Sequence, residues 1–439
     1  MACLAFFSTA CEKYLTEPSD KSYAVITTLG DLQALLDNQT RTNAATAISP
    51  DVSADDYFLQ DDGWANLQYE EDQRMYIWER DNVFNPGDLG NDWSRLYGLV
   101  YLTNTVLEHL EQIEIDEANV EQWNNIKGQA LVFRAVSFLD AAQIWAEAYD
   151  AATAQTITGI PLRLESDFNI PSARSSLQNT YDQILADLKE AVPLLPITPV
   201  AKTRPSKPAA YGLLARTHLW MRDYATAGIY ADSCLMLANG LMNYNELNSA
   251  SSLPIPRHNE EVIFERTGAL GQILARTRAK VPLCVFNSYS NDDLRKHIFF
   301  TKNSENDISF KSFYTGIVSR FLGIATDEMY LIRAECFARN DQIAEAIHDL
   351  NTLIRTRWRK ETFKPFTASS ANQALDIVLN ERRKQLILRG IRWMDIKRLN
   401  KEGAGITLTR DLNGKTYTLP AGSDGFVLPL PDDLIAYFN

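Results

Sequence analysis

The densest collection of residues able to recognise a ligand lies between positions 51 and 92. This stretch holds twelve acids and two bases, so it carries ten of the thirteen net negative charges of the 439-residue chain. Seven aromatics are interleaved with them: Tyr57, Phe58, Trp64, Tyr69, Tyr76, Trp78 and Phe84. A sugar presents a C–H face that lies flat on Trp or Tyr, and hydroxyl rims that bond to Asp, Asn and Arg. Trp64, Tyr69, Tyr76 and Trp78 set among carboxylates supply both halves of that chemistry. The same large, rigid rings suit peptide recognition equally well. Trp78 and Phe84 have a second reading, as the filling of a satellite core beneath a long loop. Farther along, Tyr289 with Asn287 and Asn291 stands in another irregular block and is expected to complete the same surface.

Bond-making chemistry has no comparable signature. None of the five histidines (His109, His218, His258, His297 and His348) has a partner at metal-ligand spacing, and there is no HExxH or Cys/His cluster. A nucleophile elbow, a phosphate-binding loop and a dinucleotide fingerprint are also missing. The adjacent acids Asp55 and Asp56 do not by themselves make the carboxylate pair across a cleft that a glycosidase needs. Asp88 and Asp92 flank Asn91, but the twelve-residue calcium loop is not there. The reading is a binding protein without catalytic residues, metal or cofactor.

Hydrophobic residues make up 45% and charged residues 23%, an ordinary globular composition. Net acidity argues against a nucleic-acid partner, which calls for clustered Lys and Arg, and against docking on anionic lipid heads. No apolar run is long enough for a membrane-spanning helix. The first eleven residues, MACLAFFSTAC, are apolar and small, and polarity begins abruptly at Glu12. Ser8-Thr9-Ala10-Cys11 reads as a bacterial lipobox, so residues 1–11 are taken as a truncated lipoprotein signal, short and without a basic start. Lipidation of Cys11 would anchor the protein to a membrane. Cleavage there removes Cys3. Cys234, Cys284 and Cys336 are too scattered for a disulfide framework and are expected to be structural.

Helical periodicity dominates the elements that must position these residues. Residues 124–149 and 177–195 each read as one long amphipathic helix, the second capped by Ser175 or Ser176 and stopped by Pro196. Residues 209–237 and 328–356 align with each other at an offset of 119: Ala215 falls on Ala334, Ala227 on Ala346 and Leu235 on Ile354. Each half is helix, short turn (Arg222-Asp223, Asn340-Asp341) and helix, the tetratricopeptide layout. Residues 51–92, 268–310 and 403–425 show no period and are expected to be irregular. The arginine-rich run Glu381-Arg382-Arg383, Arg389, Arg392, Trp393, Asp395, Lys397 and Arg398 alternates with acids. It is therefore expected to be held by internal ion pairs and Arg–Trp stacking. Trp93, Trp145, Trp220 and Trp393 are expected in the core.

Several ordered motifs now carry a resemblance. Cys11-Glu12-Lys13-Tyr14-Leu15 with Pro18, Trp93-Ser94-Arg95-Leu96-Tyr97 with Asn104 and Glu108, Gly159-Ile160-Pro161-Leu162 and Arg174-Ser175-Ser176 come first. Tyr330-Leu331-Ile332-Arg333-Ala334-Glu335, Glu381-Arg382-Arg383, Gly390, Arg392-Trp393, Asp395 and the closing Leu428-Pro429-Leu430-Pro431 follow. Together they resemble the SusD/RagB family of outer-membrane nutrient-binding lipoproteins over almost the whole chain.

The resemblance implies an all-α fold with tetratricopeptide hairpins as scaffold and a loop-rich ligand region. Residues 12–439 then form one domain, with an N-terminal part at 12–200 and a C-terminal part at 201–439. It also implies a non-enzymatic, cell-surface lipoprotein of the outer membrane, anchored through Cys11, that hands oligosaccharides to a SusC-type TonB-dependent transporter. Within the family some members take peptides instead, and the acidity of residues 51–92 would favour cationic ones. A tetratricopeptide adaptor that binds only protein is the rival from another class.

Overall fold

The structure, a computed structural model, describes residues 26–84, 90–304 and 307–434. It opens with α1 (Leu29–Leu36), closed by a reciprocal cap between Thr28 and Asp31. Three short helices follow: α2 (Ser49–Ser53), α3 (Asp61–Ala65) and α4 (Glu70–Tyr76). The stretch expected to be irregular is therefore partly helical, in pieces too short to leave a periodic trace.

The scaffold is a stack of long helices. It runs through α5 (Asp92–Leu110), α6 (Val120–Trp145), α7 (Leu177–Leu194), α8 (Lys207–Trp220) and α9 (Tyr224–Leu237). After a long excursion bearing α10 (Leu283–Asn287) and α11 (Arg295–Phe299), it resumes with α12 (Thr326–Arg339), α13 (Ile343–Arg355), α14 (Ala371–Gln385) and α15 (Arg392–Asn400). Each of the long helices from α5 to α14 packs on the next in the stack, α9 directly on α12 across the excursion, whereas α15 packs on α2 and α8. The α7 cap is Ser176, whose hydroxyl accepts from the Asn179 amide at 3.1 Å, and Pro193 sits in the last turn. Helix α6 is not amphipathic as expected. Wedged among α1, α5 and α7, it is buried on nearly every side from Gln129 to Trp145.

The two related hairpins superpose in kind, α8–α9 on α12–α13. Arg222 and Asp341, equivalent at the offset of 119, both turn in the left-handed region at φ of 64° and 58°. Ala215, Ala227, Ala334 and Ala346 are fully buried where helices approach closely. Arg134 on α6 locks three helices at once. It donates to both carboxylate oxygens of Asp187 on α7, at 2.8 and 2.7 Å, and to Asn104 on α5 at 3.1 Å.

Short strands pair two by two among the described residues: β1 (Thr158–Pro161) with β2 (Arg174–Ser176), β3 (Val262–Phe264) with β8 (Ile324–Ala325), and β4 (Thr267–Gly268) with β7 (Arg320–Phe321). In the second block expected to be irregular, β5 (Phe300–Ser304) pairs with β6 (Asp307–Phe310). In the third, β9 (Leu408–Leu412) and β10 (Lys415–Leu419) form a hairpin. Its Asn413-Gly414 turn has φ of 51° and 75°, which suits a two-residue connection with the native strand twist.

The arginine-rich run is neutralised only partly from within, and otherwise by Asp55, Asp327 and Glu335 from elsewhere in the chain. Arg398 grips Glu335 with two bonds of 2.6 and 2.8 Å, and Arg382 and Arg398 each donate to Asp395 at 2.8 Å. Burial works against ionising Glu335 and Asp395, yet the neighbouring arginines hold both below the ordinary carboxylate range. Trp393 packs on Phe426 at 4.9 Å rather than on an arginine. Trp145, Trp220 and Trp393 are buried, and Trp93 is half-buried against Tyr97 and Trp145. Cys234 and Cys336 are buried free thiols, while Cys284 is exposed.

Candidate functional site

Helix α4 forms one wall of a cleft of about 540 Å³. Tyr69, the residue just before α4, stands at its edge with half its surface exposed. Glu71, Asp72 and Met75 line the same wall. Asn91, Asp92 and Arg95 at the start of α5 face them, and Ala269, Gln272 and Arg320 close a third side.

The wall is held in place by bonds that leave Tyr69 free to present its ring. Gln68 and Gln272 bond to each other twice, the Gln68 amide to Oε1 of Gln272 at 3.2 Å and Nε2 of Gln272 to Gln68 at 2.6 Å. Gln73 bonds back to the Ala65 carbonyl, and Trp64 donates its indole N–H to the Gln73 carbonyl at 3.1 Å. Opposite, Asp92 accepts from the amides of Ile48 and Ser49 at 2.9–3.1 Å and from Arg95 at 2.5 Å.

Both arginines of the cleft are committed to the protein. Arg95 also donates to the carbonyls of Thr46 and Gly90. Arg320 serves Asp51, the Ala47 carbonyl at 3.0 Å and the Ala269 carbonyl at 3.2 Å. Asp72 forms no ion pair or hydrogen bond among the described residues. Its carboxyl is pushed up to about 6, chiefly by burial and further by the charges of Glu71 and Asp92. An aromatic face, carboxylates and an amide in one cleft can grip a polyhydroxylated ligand.

Of the six residues expected to bind a ligand, the structure brings only Tyr69 to this cleft, while Phe84, Asn91 and Asp92, also marked in the sequence, line it too. Trp64, on α3, is half-buried, packed against the main core, and does not line this cleft. Tyr76 and Trp78 are corrections: both are buried, and neither ring faces a ligand. Arg410, from the C-terminal hairpin, lies 3.7 Å from the Tyr76 ring centroid and 5.2 Å from that of Trp78. The Tyr76 hydroxyl accepts from the Leu59 amide at 2.7 Å, and the Trp78 indole donates to the Ser53 carbonyl at 3.0 Å. The satellite-core reading of Trp78 is the one the packing bears out. Tyr289 is likewise buried, its hydroxyl donating to the Lys384 carbonyl at 2.8 Å and its ring packed on Phe300. Asn287 is exposed at the end of α10 but does not line the cleft. The second irregular block contributes Gln272 instead, a residue with no local signal. Cys11 lies outside the described residues. Asp55 and Asp56 are structural, paired with Arg383 and Arg392 and with the Leu388 amide.

Comparison with known proteins adds a family. A family of starch-binding proteins associating with the outer membrane matches residues 13–219, and the SusD family matches residues 326–421. Between them they span well over half of the chain. A SusD-like protein, P38, from Formosa agariphila is 20% identical over 395 residues, covering 74% of either chain. Among solved structures, a putative sugar-binding protein from Bacteroides vulgatus shares the fold at a TM-score of 0.78 and 20% identity, covering 95% of this chain and 98% of its own. A SusD superfamily protein from Bacteroides thetaiotaomicron does so at 0.75 and 20%, covering 93% and 98%. No helix among the described residues is long and apolar enough to cross a membrane.

Proposed function

The chain belongs to the SusD family, and from that membership we propose that it captures oligosaccharides at the cell surface, in the Tyr69 cleft, and delivers them to a SusC-type TonB-dependent transporter. The family is one of carbohydrate-binding proteins associated with the outer membrane. Lipidation at Cys11 would supply the attachment, since acyl chains rather than a protein segment can hold such a protein to the bilayer. Function here means binding and release.

The observation that carries the reading is the exposed Tyr69 ring at the edge of a cleft whose walls alternate carboxylate and amide. A pyranose lies flat on the ring while its hydroxyls donate to Asp72 and exchange bonds with Gln272. The electrostatic basis of the peptide alternative narrows, because Asp51, Asp55 and Asp92 are already paired with arginines, and within the cleft it rests on Asp72.

The test is calorimetric titration of the protein produced from Glu12 onward, with pooled oligosaccharides and, separately, pooled peptides. Heat from the sugars, lost in Tyr69→Ala, supports the reading. Heat from peptides alone moves the protein to the peptide-binding branch. Silence from both leaves the adaptor reading in possession.

A further inference from the structure

The cleft contains charge of both signs, but not in usable form. Arg95 and Arg320, the two cations that line it, each hold a carboxylate of the protein and two backbone carbonyls. Recognition of a uronate or a sulfate calls for guanidinium donors able to turn to the ligand in pairs. Three of the five N–H donors of each guanidinium are held by the protein here, and turning them to a ligand would strand Asp92 or Asp51, both almost fully enclosed. Asp72, in contrast, points a carboxylate into the same space without a bonded cation among the described residues, with Glu71 beside it on α4. Incoming negative charge therefore meets repulsion from Asp72 without compensation from either arginine.

We infer that the cleft selects uncharged glycans and rejects those bearing carboxylates or sulfates, with Asp72 as the discriminating residue. The inference rests on the Tyr69 cleft being the glycan site. Uncharged sugars suffer no such penalty, since their hydroxyls donate to carboxylates. The rejection acts through charge at short range, so it should shrink as salt is added, though less than for groups fully in solvent.

The experiment titrates one neutral oligosaccharide pool and the same pool after chemical sulfation into three proteins: the native chain, Asp72→Asn and Tyr69→Ala. The native chain should bind the sulfated pool at least about tenfold more weakly than the neutral one, which is the size of a single unfavourable short-range charge contact. Asp72→Asn should narrow the ratio of neutral to sulfated affinity several-fold, whatever the neutral affinity itself loses with the carboxylate acceptor. Tyr69→Ala should weaken both. A native chain that binds the sulfated pool as well as the neutral one, or a gap untouched by Asp72→Asn, overturns the charge selection while the Tyr69 response still upholds the cleft. If Tyr69→Ala binds the neutral pool like the native chain, the site itself is elsewhere and the inference falls with it.

Discussion

Arg392, the first residue of α15, grips Asp55 with two prongs, Nε to Oδ1 at 2.7 Å and Nη2 to Oδ2 at 3.1 Å. Arg383 on α14 donates to the same carboxylate at 2.8 Å. Two neighbouring acids repeat the pattern. Asp56 accepts the Leu388 amide at 3.0 Å, and Asp51 takes Arg320 together with the Gly390 amide at 3.0 Å. Gly390 fits there because its φ is +70° and a Cβ would stand 2.5 Å from Leu322. The acids that open the aromatic-acidic stretch are thus the clasp by which the C-terminal helices hold it, and Tyr69 projects from a segment pinned on one side.

Arg392→Ala should lower stability by about 2 kcal/mol. Removing one partner of an enclosed pair usually costs more, but Asp55 keeps 27% of its side chain exposed and retains Arg383. Urea unfolding should show a lower midpoint at unchanged slope. An unchanged midpoint means the clasp does not stabilise the fold.

The same clasp sets a pH profile. Burial opposes ionising Asp55, but the hydrogen bond and charge of Arg392, aided by Arg383, bring its carboxyl down to about 2. Burial, and then the charge of Asp55, push Asp56 up to about 6. A depressed carboxyl contributes stability above its ordinary value near 3.8, lost as pH falls towards 2. A raised one does the reverse: its cost is full above pH 6 and fades as pH falls from 6 towards 4. Stability should therefore hold or rise slightly from pH 7 to 5 and drop steeply between 4 and 2. Asp56→Asn should diminish the first leg alone, leaving the part that Asp72, also raised to about 6, contributes. A native profile that falls steadily from pH 7, with Asp56→Asn falling alongside it, contradicts both assignments.

What the sequence disclosed follows from the range of the interactions involved. Helix α7 with its Ser176 cap, and the paired hairpins with their matched left-handed turns at Arg222 and Asp341, are local patterns and were legible. The arginine-rich run was legible only in part: Arg382 and Arg398 reach Asp395 within it, but Arg383, Arg389 and Arg392 are paired by Asp55 and Asp327 from far along the chain. The Asn413-Gly414 turn between two alternating strands is also local, and that signal was passed over. Nothing local separates Tyr69 from Trp78. One is exposed and the other buried because Arg410, over three hundred residues away, stacks against Tyr57, Tyr76 and Trp78 and bonds the carbonyls of Val52 and Ala54. Gln272 was out of reach for the same reason.

Tyr69 and Trp78 should behave as opposites under truncation. Tyr69→Ala removes an exposed ring and should leave the melting temperature within a degree or two, while glycan affinity falls about tenfold or more, as loss of an aromatic anchor does. Trp78→Ala empties a packed position and strands the Ser53 carbonyl that its indole satisfies, which should cost roughly 3–5 kcal/mol. Thermal melts beside calorimetric titrations read both. A stability loss in Tyr69→Ala with affinity intact reverses the assignment.

The pH dependence of binding distinguishes protein from ligand titration. Among the described residues, the charged groups that line the cleft with Asp72 are Glu71 on its own helix, Asp92 and Arg95 on α5, and Arg320 on β7, both arginines being already paired. With its carboxyl raised to about 6, Asp72 gains a proton as pH falls from 7 to 5, and the cleft becomes less negative. A sulfate ester keeps its charge across that interval, so any change belongs to the protein. Affinity for a sulfated oligosaccharide should therefore rise several-fold from pH 7 to 5, most steeply near 6. For a neutral oligosaccharide it should stay level or fall slightly as the carboxylate becomes a poorer acceptor. In Asp72→Asn the sulfated curve should be flat. A native curve that is also flat, or one that persists in Asp72→Asn, assigns the titration to another group and removes Asp72 from the recognition of charge.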